Sequence, residues 1–237
     1  IKEFFNKVNK KNSKPQGVIK DSEKALKPLL AKSDPTAEEQ QQITELQEKI
    51  AEAKTAIFKP ILGCECYCAR HSRQSELATQ DDRSGWHLIV LAKNKNGYKN
   101  LIKMVSLSWT EGFYGRPRID KELLEKYHED LIVCSACIAG EVPRKILADD
   151  IEGARESIEW HKRVFGDDYY LELQRHEVKD PTIRANRDTF PLQQKANKVL
   201  LELAKEYGIK VICSNDAHFV DQENAEAHDH LLCLSTG

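Results

Sequence analysis

Val211-Ile212-Cys213-Ser214-Asn215-Asp216-Ala217-His218 ends a short apolar run in a carboxylate and an imidazole. In an extended chain, residues two apart project to the same face, so Asp216 and His218 point together. A buried charge is costly unless it is paired or bound to a metal. The stretch therefore predicts a strand that carries two metal-competent side chains at its end.

Working outward, apolar strand-like runs alternate with amphipathic stretches from residue 58 to the end of the chain. Strands are expected at 59–68, 87–93, 131–136, 169–174 and 209–215. Helices are expected at 97–107, 120–127, 150–165, 190–207 and 221–234. In the helix at 150–165, Ile151, Ala154, Ile158, His161 and Phe165 form one stripe. In the helix at 190–207, Leu192, Ala196, Val199, Leu203 and Tyr207 do the same. Alternating βα units with apolar strands predict an α/β fold on a parallel sheet, open or closed into a barrel. The chain contains neither a dinucleotide-binding glycine fingerprint nor a phosphate-binding Gly-x-x-x-x-Gly-Lys loop.

The first 57 residues read differently. Residues 1–9 resemble a truncated amphipathic helix, and 10–17 a polar linker. Two helices are expected at 20–32 and 35–56, the second capped by Ser33 or Asp34 with Pro35 in its first turn. Ile43, Leu46, Ile50, Ala53 and Ile57 step by three and four along it, and Leu26, Leu29 and Leu30 are candidates to pack there. Residues 1–32 carry nine lysines against three acids, and 34–57 six acids against two lysines, so the arms of this hairpin (10–57) attract each other.

Composition bounds the function. The 237 residues are 40% hydrophobic and 31% charged with a net charge of −2, which excludes a chain that is basic overall. Any contact with nucleic acid needs a local patch. Seven cysteines, three of them alternating at 64, 66 and 68, do not read as a disulfide framework and suit a reducing, cytoplasmic setting. No apolar run has the length of a membrane span.

The other strand ends answer the Asp-x-His. Glu65 and Tyr67 share one face of the first strand, with the three cysteines on the other. His87 opens the second strand, Cys134-Ser135-Ala136-Cys137 ends the third, and Arg175-His176 follows the fourth. Strand ends of a βα barrel converge on one site. Glu65, His87, Cys137, Asp216 and His218 together predict a metal centre. The pair Cys134 and Cys137 has no second cysteine pair at zinc-knuckle spacing. His228 and His230 read as a solvated face or as support for the ligands.

Five stretches occur in order: Lys59-Pro60-Ile61-Leu62-Gly63-Cys64-Glu65, His87-Leu88-Ile89-Val90-Leu91-Ala92-Lys93-Asn94, Ser135-Ala136-Cys137-Ile138-Ala139-Gly140-Glu141-Val142, Tyr170-Leu171-Glu172-Leu173 and Asn215-Asp216-Ala217-His218. Together they resemble the polymerase-and-histidinol-phosphatase (PHP) domain at the start of bacterial replicative DNA polymerase III alpha subunits, over residues 58–237. The resemblance implies a distorted seven-stranded βα barrel. It implies Glu65 as a bridging carboxylate ligand, His87, Cys137, Asp216 and His218 as further ligands, and His176 beside the site. It implies up to three ions, Zn²⁺ or Mn²⁺ on the donor set, and a metal-activated water for phosphoester hydrolysis, with 3′–5′ proofreading as the substrate class.

The family's Thr-Asp-His and its His-x-His near the N-terminus do not occur, the sequence's His228-Asp229-His230 lying near the other end, so the chain is expected to lack the first two barrel strands, with residues 1–9 a remnant helix. For a parent polymerase the resemblance implies DNA, deoxynucleoside triphosphates and Mg²⁺ outside this chain. It also implies a proofreading exonuclease subunit, a sliding clamp and clamp-loader components as partners, and no membrane. The alternatives are a catalytically silent scaffold that docks a separate exonuclease, or a free-standing histidinol-phosphatase-like phosphoesterase.

Overall fold

The structure, a computed structural model, describes residues 2–75, 83–177 and 188–236. It comprises two compact units, Ile1–Ile61 and Leu62–Gly237.

The first unit is a pair of packed helices, α1 (Lys2–Leu30) and α2 (Ala37–Thr55). The polar stretch 10–17 is helical rather than a linker, and α1 runs through Pro15 and Pro28 without a break in its assignment. Each proline removes one i→i−4 bond. Asn12, inside the expected linker, is buried, and its side-chain amide donates to the Phe58 carbonyl at 2.8 Å and accepts from the Phe58 N–H at 2.9 Å. That bidentate clip ties the chain after α2 to the middle of α1. The N-cap of α2 is Thr36, not Ser33 or Asp34. Its hydroxyl accepts from the Glu39 N–H at 3.3 Å while the Glu39 carboxylate accepts from the Thr36 N–H at 3.0 Å, a reciprocal capping box. Ile43, Ile50 and Ala53 are buried as the spacing predicts, whereas Leu30 is exposed.

The second unit is a mixed sheet with helices packed against it. Its strands are β1 (Gly63–Cys68), β2 (Trp86–Ala92), β3 (Phe113–Tyr114), β4 (Arg116–Ile119), β5 (Leu131–Cys134), β6 (Tyr169–Gln174) and β7 (Lys210–Ser214), in the spatial order β3-β4-β1-β2-β5-β6-β7. The helices are α3 (Lys95–Thr110), α4 (Lys121–Lys126), α5 (Glu141–Leu147), α6 (Ile151–Phe165), α7 (Phe190–Tyr207) and α8 (Ala225–Thr236). The architecture is α/β and consistent with the expected barrel, although among the described residues the sheet stays open, with β3 and β7 at its edges.

The sheet is not all parallel as the βα rhythm suggests. β4 runs parallel to β1, and β5, β6 and β7 run parallel to one another, but β2 is antiparallel to both β1 and β5. The short β3–β4 hairpin and α5 were not expected from the sequence.

Val90, Val133, Leu171, Met104, Ile146 and Ile158 are fully buried between sheet and helices. Each such aliphatic side chain stabilises the fold by roughly 1.5–3 kcal/mol. The predicted stripe of α6 is the buried one. That of α7 is rotated by about one position, so that Gln193, Ala196, Leu200 and Leu203 face inward and Leu192 faces water. Cys66 and Cys68 are buried in the same core, on the face of β1 away from Glu65 and Tyr67.

Candidate metal centre

The antiparallel direction of β2 builds the site. In the β1–β2 register Tyr67 faces His87 and Glu65 faces Ile89. The first residues of β2 therefore lie beside the end of β1, and β5 ends on the same side of the sheet. A histidine that opens a strand thus joins candidate ligands that close others.

The third contributor comes from the turn after β5. Ala136 adopts φ 61°, in the left-handed region that costs a non-glycine residue about 1 kcal/mol or more. The turn is held by the Gly140 N–H donating to the Cys137 carbonyl at 2.8 Å and by the His87 N–H donating to the Ala139 carbonyl at 3.1 Å. Gly140 bridges directly to His87. A Cβ at Gly140 would lie 2.0 Å from the Ser135 carbonyl oxygen, so only glycine lets the turn close so tightly. The result is that Cys137 is presented to the His87 ring.

His87 Nδ1 lies 2.7 Å from Glu65 Oε1 and 3.5 Å from Cys137 Sγ. One donor atom from each of the three residues falls within 4.8 Å of the others. The Cys137 thiol, and after it the Glu65 carboxylate, push the His87 imidazole up to about 9. The hydrogen bond from His87 holds the Glu65 carboxyl below its usual range, and the charge of His218 adds to that. Around a tetrahedral zinc with bonds of about 2.0–2.3 Å, neighbouring donors sit about 3.3–3.7 Å apart. The sulfur–nitrogen spacing already matches. The carboxylate–imidazole contact would have to open by a few tenths of an ångström to admit an ion. Oxygen, nitrogen and sulfur donors in one set fit Zn²⁺ and suit Ca²⁺ poorly.

Asp216 and His218 leave β7 in the expected place but are not part of this group of three. Asp216 adopts φ 47°, so the extended alternation that would align it with His218 is broken there. His218 is exposed, its Nδ1 is 2.7 Å from the Asp216 carbonyl oxygen, and its ring centroid is 5.6 Å from that of His228. His230 is exposed on α8.

His176 has both ring nitrogens engaged. The Gln193 side-chain amide donates to Nδ1 at 3.0 Å, which leaves Nε2 protonated to donate to the Asn215 carbonyl at 2.6 Å. His176 therefore braces the residue that precedes Asp216, and its pairing with Gln193 was not foreseen. Behind the site, Ser135, Glu172, Gln174 and Ser214 form a hydrogen-bonded set across the ends of β5, β6 and β7. Glu172 and Gln174 are both buried in it.

Tyr67 is the other neighbour that sequence spacing only hinted at. Its ring meets the His87 ring edge-on at 5.2 Å, and Arg116 Nη1 donates to its hydroxyl at 2.5 Å. Among the described residues no helix is long and apolar enough to cross a membrane.

Residues 12–176 match the PHP domain family. Over 188 residues, or 78% of the chain, the sequence is 49% identical to the DNA polymerase III subunit alpha of Borreliella burgdorferi. It is 37% identical to that of Chlamydia pneumoniae over 76% of the chain, and 37% identical to that of Thermus aquaticus over 75%. The chain spans only about 15% of the length of these relatives.

Proposed function

We propose, from the premise that this chain belongs to the PHP domain family, that it is the PHP part of a bacterial replicative DNA polymerase III alpha subunit and holds metal at Glu65, His87 and Cys137, with Asp216 and His218 completing the ligand set. The observation that carries the reading is the convergence of three different donor types from β1, β2 and the turn after β5. Zn²⁺ or Mn²⁺ fits those donors. Such an ion, when bound, polarises a phosphoryl oxygen and lowers the pKa of a water molecule.

The chain's own residues do the rest. Glu65 and Cys137 supply the negative charge that a dication requires. The Ala139–His87 backbone bond and the Gly140 bridge fix the approach of the ring. His176 holds Asn215, and so the start of the Asp216–His218 turn. This arrangement suits hydrolysis of a phosphoester, and 3′–5′ removal of nucleotides is the substrate class in keeping with a replicative polymerase. DNA synthesis itself, its deoxynucleoside triphosphates and its Mg²⁺ belong to parts of the parent outside these residues. So do its contacts with a sliding clamp and clamp loader.

One observation favours a second reading, in which the domain is a catalytically silent scaffold that docks a separate proofreading exonuclease: Asp216 and His218 stand outside the compact group. Metal content and 3′–5′ exonuclease rate, measured on one full-length preparation of wild type beside Asp216→Asn, separate the two. Bound metal with exonuclease lost in Asp216→Asn supports the hydrolytic reading. Bound metal without exonuclease in the wild type supports the scaffold. No bound metal in the wild type overturns the ligand assignment and the hydrolytic mechanism.

A further inference from the structure

We infer that Tyr67 and Arg116, continued by Tyr114 and Arg83, form a docking surface for single-stranded DNA whose terminal phosphodiester lies at the Glu65–His87–Cys137 group. The inference rests on the metal reading above and adds to it the route by which substrate reaches the site.

The chain carries a net charge of −2, so a polyanion needs a local basic patch. The arginines on this side of the sheet divide into two kinds. Arg73 is consumed by Asp120, Glu111 and Glu122, and Arg118 is buried with its guanidinium donating to the carbonyls of Gly112, Arg73 and Ser75. Those two build the fold. Arg116 and Arg83 are exposed, and among the described residues neither is seen to meet a carboxylate. Each lies over an aromatic face, Arg116 at 4.7 Å from the Tyr67 ring centroid and Arg83 at 5.4 Å from that of Tyr114, a ring that the buried Arg118 also approaches at 5.2 Å. Guanidinium groups and aromatic faces in alternation are what single-stranded nucleic acid uses, the first for phosphates and the second for bases.

The strand register joins this surface to the metal centre. Tyr67 pairs with His87 on one side of β1 and with Arg118 of β4 on the other. The Tyr67 hydroxyl accepts from Arg116, so its own proton is available to a phosphate oxygen. Arg116 and Tyr114 flank Gly115, whose φ of 73° turns the β3–β4 hairpin back on itself and brings both onto one edge. A strand end seated at the three donors would meet Tyr67 first, then Arg116, then the Tyr114–Arg83 pair.

The test uses the full-length polymerase and a single-stranded oligonucleotide with a photoactivatable base at its 3′ terminus. Cross-links are mapped by mass spectrometry, and metal content is measured on the same samples. Cross-linking is expected at Tyr67 or within the β3–β4 hairpin. Arg116→Glu should lower that yield about tenfold, the size of losing one stacking or phosphate contact, with metal content per chain unchanged. Arg83→Gln should lower it less, and Tyr67→Phe should lower it while keeping the ring. A wild-type protein that holds metal but gives no cross-link at these residues overturns this inference and leaves the metal reading standing. Absence of metal with the cross-link present overturns the metal reading and leaves the surface. Complete displacement of the cross-link by inorganic phosphate at millimolar concentration, with no effect of Arg83→Gln, would mean a site for free phosphate and would overturn the strand assignment.

Discussion

The two halves of the proposed ligand set differ in how the backbone delivers them. Glu65, His87 and Cys137 come from paired strands and from a turn locked to one of them, and their donor atoms meet. Asp216 and His218 come from a segment that has left β7, passes through a left-handed residue and is largely exposed. Register positions a side chain to within a hydrogen-bond length, because every neighbouring residue must shift for one to move. A segment beyond the last ladder bond lacks that constraint. Pairing therefore fixes one half of the site without an ion, and the other half depends on what binds there.

The largest effect that would sharpen this contrast is on affinity. His87→Ala should lower zinc affinity of the full-length protein by more than about 100-fold, while Asp216→Asn should lower it about 10-fold to 100-fold, in the range of groups that support a metal. Competition with a chromophoric chelator reads both. The double substitution of Asp216 and His218 should be non-additive, since the two serve one cluster. Equal losses for His87→Ala and Asp216→Asn would erase the distinction between the halves.

Next in size is an acid effect in the buried core. His161 is buried, its Nδ1–H donates to the Ser157 carbonyl at 2.8 Å, and its ring stacks on Tyr169 at 4.8 Å. Burial pushes its imidazole down to about 4, although Glu141 nearby pulls the other way and Lys121 and Lys145 add to the depression. The unfolded chain binds this proton near its ordinary pKa of about 6.5, and the folded chain only near the lower value. Stability should thus be complete above about pH 6.5 and fall by up to about 3 kcal/mol as the pH drops towards 4. Urea unfolding at a series of pH values checks this, and His161→Phe should flatten that part of the profile.

A smaller loss is expected at the turn that presents Cys137. Gly140→Ala forces a carbon against the Ser135 carbonyl and should cost about 1–3 kcal/mol, with weaker zinc binding in the same protein. Thermal unfolding without and with zinc separates the two effects. The smallest is in the helical pair: Asn12→Ala removes both bonds to Phe58 and should destabilise that unit by about 1 kcal/mol with zinc affinity unaltered.

Much of this was legible in the sequence where periodicity is long and one-sided. The strand Tyr169–Gln174 and the helix Phe190–Tyr207 fall on the residues expected, and the α6 stripe is the buried one. Strand direction was not legible, because a period of two is the same read either way, so β2 passed for parallel although His87 was already marked as a ligand. The helical path through 10–17 was hidden by Pro15, Asn12 and Ser13, residues that favour turns in isolation. In the fold, Asn12 is satisfied by Phe58 instead. The β3–β4 hairpin and α5 are too short to leave a periodic signal. The same-face argument for Asp216 and His218 assumed an extended chain, and a positive φ at Asp216 removes that assumption.

The most direct test of the central claim is zinc X-ray absorption on the full-length protein loaded with zinc, wild type beside Cys137→Ala. A zinc–sulfur shell at about 2.3 Å, alongside nitrogen and oxygen at about 2.0–2.1 Å, is predicted for the wild type, with the sulfur shell gone in Cys137→Ala. A wild-type spectrum with nitrogen and oxygen alone would contradict the assignment of Glu65, His87 and Cys137 as one metal centre.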